Sequence, residues 1–166
     1  MHTDLVVTFS GPDRTGLVDR FASKIREHGG NWEESRLVRL AGWFCGMLLV
    51  RVATDHAEGL EIALRNVADD LTVTIARGQR DDRERSLVKL SVACADRNGI
   101  VHDLSRTLVA LGVNIEELHS GVSAAPMSGE PLFTATLRLS IPDEVGQGAV
   151  IAALEGIQSD LLVVVL

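Results

Sequence analysis

The sequence is poor in cysteine, and this excludes a scaffold held together by disulfide bonds. Cys45 and Cys94 are the only cysteines in 166 residues, and they lack the spacing of a CxxC motif. Both lie within apolar segments, where a buried structural thiol is the usual arrangement. Because free buried thiols fit a reducing compartment, we expect a cytoplasmic protein.

Long hydrophobic runs are also absent. The longest, such as residues 161–166, are the size of one strand, far below the ~20 residues that cross a bilayer. Residues 1–4 contain no basic segment leading into an apolar one, so no signal peptide is expected. These features predict a soluble protein without a membrane partner.

Positive charge and aromatic side chains are scarce as well. There are 16 Lys and Arg residues against 23 Asp and Glu residues, which gives a formal net charge of −7 at pH 7. A chain with this balance has no positive field to attract phosphate backbones. Aromatic residues make up 4% and tyrosine is missing, so a stacking platform for single strands is not expected. The sequence therefore argues against direct binding of nucleic acid.

The main feature of the sequence is an internal repeat that occurs twice. Residues 13–18, Asp-Arg-Thr-Gly-Leu-Val, return as residues 96–101, Asp-Arg-Asn-Gly-Ile-Val. Later apolar positions also recur, with the same alternation along strands and the same face along helices. Residues 80–85, between the copies, are polar and mixed in charge, as a solvated linker would be. We predict two homologous domains, residues 1–79 and 86–166, the second with an insertion at residues 123–131.

Each copy has the pattern of four strands and two helices. Apolar residues alternate over residues 5–9, as on a strand with one buried face, and recur at helical spacing over residues 17–25. A second helix is predicted over residues 57–70, with its counterpart over residues 144–157. The order β-α-β-β-α-β is typical of a ferredoxin-like α+β fold, in which an antiparallel sheet carries both helices on one face.

The other face of each sheet would stay open. In the first copy its predicted residues are Val6, Thr8, Cys45, Met47 and Leu49. In the second copy they are Leu87, Ser91, Thr134 and Thr136. The first of these faces is the more apolar, so we expect that the other copy or another chain covers it.

Two motifs stand at the ends of the first predicted helix. Residues 12–18, Pro-Asp-Arg-Thr-Gly-Leu-Val, lead into it, and residues 29–33, Gly-Gly-Asn-Trp-Glu, lead into the next strand. With this element order the motifs resemble an ACT domain, and two copies are similar to the glycine cleavage system transcriptional repressor group. Residues 11–35 are also similar to the N-terminal ACT segment of formyltetrahydrofolate deformylases. The resemblance implies a homodimeric, non-catalytic amino-acid sensor that acts through a protein partner such as a transcription factor.

A free amino acid needs a site that offers both signs of charge. A helix N-terminus supplies unpaired N–H groups for its carboxylate, and an aspartate can accept from its ammonium. In ACT domains the turn glycine and the asparagine at the strand start line a ligand site between paired domains. By this resemblance the ligand-binding residues are Asp13, Gly16, Leu17 and Asn31 in the first copy and Asp96, Gly99, Ile100 and Asn114 in the second. Glycine and serine are the first ligands expected.

Each of these residues also has a purely structural interpretation. An aspartate before a helix is commonly an N-cap, a glycine in such a turn serves backbone geometry, and an asparagine after a helix often sits in a turn. No arrangement of residues predicts a catalytic site, a metal site or a cofactor. Two other functions stay open, an interaction module without a ligand and a regulatory subunit of an enzyme of amino-acid or folate metabolism, such as formyltetrahydrofolate deformylase.

Overall fold

The structure, a computed structural model, describes residues 1–78, 86–126 and 128–166. It divides into two compact units, Met1–Asp81 and Asp82–Leu166, each of which contains one copy of the repeat. The predicted linker, residues 80–85, lies outside the described residues, as does residue 127 of the insertion.

The first unit has the predicted order of elements. They are β1 (His2–Pro12), α1 (Leu17–Glu27), β2 (Asn31–Leu40), β3 (Trp43–Ala53), a 3-10 turn (Thr54–His56), α2 (Ala57–Arg65) and β4 (Thr72–Arg77). The sheet order is β2-β3-β1-β4, and all pairings are antiparallel. β2 and β4 are therefore the edge strands of this sheet.

The second unit repeats this arrangement. Its elements are β5 (Ser86–Ala95), α3 (Ile100–Ala110), β6 (Asn114–Ala124), β7 (Pro131–Ile141), α4 (Gln147–Glu155) and β8 (Leu162–Val165). The sheet order is β6-β7-β5-β8, again antiparallel throughout. The expected tandem of ferredoxin-like α+β folds is confirmed.

Each unit has its own apolar core between sheet and helices. In the first unit, Leu5 and Val7 of β1 lie in one buried cluster with Phe21 of α1. In the second unit, Leu90 of β5 lies in the corresponding cluster with Leu104 of α3. Among the described residues no polar or charged residue is buried, so the polar chemistry of the molecule lies at its surface.

Helices α2 and α4 are shorter than the sequence pattern predicts. The predictions over residues 57–70 and 144–157 are wrong at the helix ends, because each helix has nine residues. Val67 and Ile157 pack on the cores from the turns that follow the helices. The apolar spacing therefore continues after the helical hydrogen bonding has stopped.

The outward face of the first sheet carries the predicted apolar residues. Met47 is 50% exposed, and Cys45 and Leu49 are half-buried. Leu40 and Trp43, at the β2–β3 hairpin, extend this surface and are 72% and 54% exposed. The second sheet carries threonine where the first has Cys45 and Met47. On β8, however, it has Leu162 and Val164, 59% and 47% exposed, where the first sheet has threonine, so the predicted contrast holds for the central strands and not for the whole face.

Candidate functional site

The predicted site begins at the turn from the first strand of each unit into its first helix. Gly16 (φ +92°) and Gly99 (φ +87°) are the N-cap residues of α1 and α3. This left-handed conformation strains any residue with a Cβ atom, so the turns need glycine for their geometry. The next residues, Leu17 and Ile100, are 2% and 3% exposed, so their side chains belong to the cores.

Neither of these helices has a side-chain cap. No side chain hydrogen-bonds at the N-cap of α1 or α3, so the interpretation of Asp13 and Asp96 as N-caps is wrong. The N–H groups of a first helical turn have no acceptor within the helix. Among the described residues, a Cβ atom at Gly16 would meet no atom within 4 Å, and one at Gly99 would meet the Arg97 guanidinium at 4.0 Å. Both turns thus leave open space at the positive end of a helix.

Asp13 is joined to the β2–β3 hairpin by its backbone and by its side chain. Its N–H donates to the carbonyl of Gly42 at 2.9 Å, and its carboxylate accepts from Arg39 Nε at 2.6 Å. The Arg39 side chain is 68% exposed, so the ion pair contributes little to stability. Its consequence is chemical, because the carboxylate expected to receive a ligand's ammonium already has a cation.

Asp96 has the same backbone contact without the ion pair. Its N–H donates to the carbonyl of Pro131 at 3.0 Å. Arg39 pairs with Phe44 of β3, and Val122 pairs with the equivalent Phe133 of β7. Within the described part of the chain, the Asp96 carboxylate has neither a cationic nor a hydrogen-bonding partner.

A polar network supports the turn that contains Asp96. Arg97 donates from Nε to Gln158 Oε1 and from Nη2 to Asp103 Oδ2, both at 2.6 Å. Asp160 accepts from the N–H of Ala95 at 2.8 Å and from Gln158 Nε2 at 2.6 Å. These two hydrogen bonds lower the pKa of Asp160, and the one from the Ala95 backbone has the larger effect. The network joins the turn before β8 to the end of β5.

The two predicted asparagines open their strands, so the interpretation that they sit in turns is wrong. Asn31 donates from Nδ2 to Glu33 Oε1 at 2.7 Å, and Asn114 donates to Glu116 Oε1 at 2.8 Å. A β-bulge follows each asparagine. In both units the asparagine amide nitrogen therefore donates to a glutamate of the same strand.

The structure does not bring the predicted residues of one unit together. Asn31 lies opposite Arg51, which in turn lies opposite the beginning of β1, whereas Asp13 follows Pro12 at the end of β1. The second unit has the same separation between its turn and Asn114. The aspartate and glycine therefore stand at one end of each sheet and the asparagine at the other, roughly 30 Å away at ~3.4 Å per residue.

Sequence reasoning missed the arginines at both ends of the first sheet. Arg51 donates from Nε and Nη2 to the two carboxylate oxygens of Asp4, at 3.0 and 3.4 Å, and this hydrogen bonding raises the pKa of Arg51. The two-residue turn Ala41–Gly42, with φ values of +49° and +84°, fixes the register that places Arg39 and Arg51 on β2 and β3. The Ala-Gly turn is visible in the sequence, and it could have indicated where on the two strands these arginines lie.

Other chemistry at the surface is limited. In the described ranges, no three His, Cys, Asp or Glu residues are grouped so that they could hold a metal ion. None of the helices described is both long and apolar enough to cross a membrane. Cys94 is 2% exposed, and burial raises the pKa of its thiol, as expected for a structural cysteine.

Comparison with known proteins assigns the first half of the chain. The sequence model of the ACT domain matches residues 3–77. The first unit is therefore similar to an ACT domain. The second unit has the same order of elements and the same sheet order as the first, so the chain consists of two ACT-like halves.

Solved structures match the whole chain. A protein of unknown function from Galdieria sulphuraria has a TM-score of 0.86 and 26% identity, with 100% of this chain and 99% of that chain covered. A candidate glycine cleavage system transcriptional repressor has a TM-score of 0.72 and 16% identity, with 100% and 97% covered. A formyltetrahydrofolate deformylase from Burkholderia mallei covers 43% of this chain and 27% of its own, at 18% identity and a TM-score of 0.40. None of the curated proteins compared with the sequence matches it.

Proposed function

We propose that this protein is a non-catalytic, cytoplasmic amino-acid sensor that regulates transcription through a protein partner. The observation that carries the proposal is the Asp96 carboxylate, which has no partner among the described residues and precedes the uncapped N-terminus of α3. The first-turn N–H groups suit a ligand carboxylate, and Asp96 suits a ligand ammonium. The open space at Gly99 leaves room for a ligand, and the similarity to a candidate glycine cleavage system repressor makes glycine and serine the first candidate ligands.

The two units are not equivalent in this proposal. Asp13 shares its carboxylate with Arg39 at 2.6 Å, so a ligand ammonium would compete with an existing ion pair. Asp96 faces no such competitor, because Val122 replaces the arginine. We therefore assign the stronger binding to Asp96, Gly99 and the backbone of Ile100, and weaker binding to the equivalent turn of the first unit.

The asparagines enter the site only with the help of another ACT domain. Asn31 and Asn114 lie at the far ends of their own sheets, and each amide oxygen has no hydrogen-bond donor in the described part of the chain, where Nδ2 donates to Glu33 or Glu116. An amide oxygen accepts from an ammonium. A site that contains both the turn and the asparagine is thus complete only when two ACT domains pair.

A protein partner fits the surface better than DNA does. The net charge of −7 opposes approach to a phosphate backbone. Leu40, Trp43 and Met47 on the first sheet are 72%, 54% and 50% exposed, an apolar surface of the kind that proteins bury against one another. The similarity in fold to a candidate transcriptional repressor adds an analogy at the level of fold.

Isothermal titration of every standard amino acid tests the sensing function. The protein is first unfolded, dialysed and refolded so that it carries no bound amino acid. We expect heat with glycine or serine, weaker binding in Asp96→Asn, and no change in the control Asp143→Asn, which alters an exposed carboxylate outside the turn. No heat and no thermal shift with any amino acid would leave the interaction module as the function.

The transcriptional function has its own test. In a host that encodes this protein, deletion of its gene should alter how the glycine cleavage genes respond to glycine. Wild-type protein should restore the response, and Asp96→Asn should not. An unchanged response in the deletion strain would contradict the regulatory function, and formyltetrahydrofolate hydrolysis after mixing with a catalytic subunit would favour the enzyme-subunit alternative.

A further inference from the structure

The edge of the second unit formed by β8 and α4 differs from every other sheet edge that the structure describes. β8 pairs with β5 alone, and α4 packs beside it. Leu162 and Val164 are 59% and 47% exposed, and Val165 and Leu166 are 47% and 62% exposed. β8 contains no charged residue, no proline and no glycine, which are the features that normally protect an edge strand.

The first unit provides an internal comparison for this edge, since β4 occupies the same place beside β1. The outward-facing residues of β4 are Thr72, Thr74 and Ala76. The residues at the equivalent positions on and directly after β8 are Leu162, Val164 and Leu166. The same edge of the same fold is therefore polar in the first unit and aliphatic in the second.

The helix beside each edge strand shows the same difference. On α2, Glu61 pairs with Arg77 of β4, with Nε and Oε1 3.4 Å apart, so charges bridge the helix and the strand. On α4 the equivalent residue is Ile151, and Glu155 is the only charged residue of the helix. Its exposed residues are Gln147, Gly148, Ala149, Ala152 and Glu155. These small, mostly uncharged side chains let another surface approach closely.

The backbone of β8 also offers hydrogen-bonding groups that have no partner among residues 1–78, 86–126 and 128–166. The N–H of Leu166 donates to the carbonyl of Lys89 at 2.9 Å. Hydrogen-bonded and non-hydrogen-bonded pairs alternate along an antiparallel ladder, so the N–H and C=O groups of Val163 and Val165 point away from β5. A further strand added at this edge would satisfy them.

We infer that the β8–α4 edge is the surface through which two copies of this chain pair, with β8 lying antiparallel to β8 of the second copy. With a two-fold axis between the two strands, the backbone N–H and C=O groups of Val163 and Val165 in each copy bond to those of the other copy. Because no charge lies on β8, the antiparallel pair sets aliphatic residues against one another on both faces. A second copy thus has the matching surface that this edge requires.

β8 alone is too short to form the interface of a stable dimer, so the proposed pairing also needs α4. A strand of four residues spans only about 13 Å, too little for a stable interface of about 800 Å² on each partner. α4 extends the surface by nine residues on the same edge, so that the two helices would also meet across the axis. This inference is independent of the proposed sensing function, since none of these residues belongs to the ligand turn and Asn114 lies on β6, at the opposite edge of the sheet.

Sedimentation equilibrium over a wide concentration range tests the pairing. We expect the wild-type chain to be a dimer, and Val164→Lys to raise its dissociation constant by about 100-fold or more, since a lysine on an edge strand opposes pairing with another strand. The matched control is Thr74→Lys at the equivalent place on β4, which should leave the dimer unchanged. Leu162→Thr combined with Val164→Thr gives β8 the threonines that β4 has at these two positions. If the lysine variant does not fold, this double variant tests the pairing instead and should also raise the dissociation constant.

Hydrogen exchange supplies a second readout that is independent of mass. In the dimer the amides of Val163 and Val165 should exchange at least tenfold more slowly than in the Thr/Thr variant. A monomeric wild-type chain, a dimer unaffected by the β8 variants, open-ended assemblies, or fast exchange at these two amides would each overturn the inference. Amino-acid titration of the monomeric variant then distinguishes this failure from a failure of the sensing function.

Discussion

The guanidinium of Arg39 donates from Nε to the carboxylate of Asp13 at 2.6 Å. The pair links the β2–β3 hairpin to the turn that enters α1, beside the backbone hydrogen bond from Asp13 to Gly42. In the second unit Val122 stands at the position of Arg39, and Asp96 keeps only the backbone contact. Two turns with the same sequence motif therefore present different charges to a ligand.

We predict that the two aspartates contribute unequally to ligand binding. Asp96→Asn should lower the affinity for the amino acid by about tenfold or more, because it removes a charge-assisted hydrogen bond to the ammonium. Asp13→Asn should change the affinity by less, because that carboxylate already serves Arg39. Arg39→Val should increase binding at the first unit, which isothermal titration would detect as a higher stoichiometry. Equal losses for the two aspartate variants would contradict this assignment.

Glycine substitutions should separate backbone strain from steric conflict. Gly99→Ala is expected to destabilise the second unit by about 1–2 kcal/mol, since φ is positive there and the Cβ atom itself has room. Gly11→Ala should cost more, because its Cβ atom would lie 2.4 Å from Leu71 Cδ2 and 2.7 Å from the Asp70 carbonyl oxygen.

Urea unfolding followed by circular dichroism measures both effects. Gly121→Ala on β6 is the control, because it has open space and no positive φ. Its unfolding free energy should stay close to that of the wild type. If Gly11→Ala were as stable as Gly121→Ala, the close packing of β1 against the turn before β4 would be incorrect.

The repeat and the alternation of apolar residues made the fold predictable, because burial on one sheet face imposes that pattern directly. The helix ends were less predictable. Asn66 Nδ2 donates to the carbonyl of Ile62 at 2.9 Å as α2 ends, yet Val67 continues the apolar spacing and is 8% exposed. Spacing reports which residues reach the core, and a turn can place a residue there as well as a helix can.

The sequence predicted the conformation of single residues of the candidate site, but not how these residues are arranged in space. The glycines follow from the motif, since only a turn into a helix explains Gly16 and Gly99. The separation of Asn31 from Asp13 follows from the direction of the chain, because α1 returns it to the opposite end of the sheet before β2 begins. The ion pair with Arg39 depends on a side chain reaching from β2 to a turn beside another strand, which no local pattern encodes.

Acid should weaken the second unit through Asp160. Its hydrogen bonds from the Ala95 N–H and from Gln158 lower its pKa in the folded state. A lowered folded pKa contributes stability that is present above the unfolded pKa of about 3.9 and lost as pH falls through the folded pKa. Wild type should therefore exceed Asp160→Asn in unfolding free energy at neutral pH, and the difference should shrink below about pH 4. Urea midpoints measured across this range, with Asp143→Asn as control, check the sign, and a constant difference would contradict it.

The two cysteines should differ in reactivity, because the thiolate is the nucleophile and only one thiol is within reach of a reagent. Cys94 is 2% exposed and burial raises the pKa of its thiol, whereas Cys45 is half-buried on the outward face of β3. Iodoacetamide should label Cys45 in the native protein and both cysteines in urea, as read by mass spectrometry of the intact chain. Cys45→Ser should abolish native labelling. Labelling of Cys94 at the same rate as Cys45 would mean that the core of the second unit opens readily.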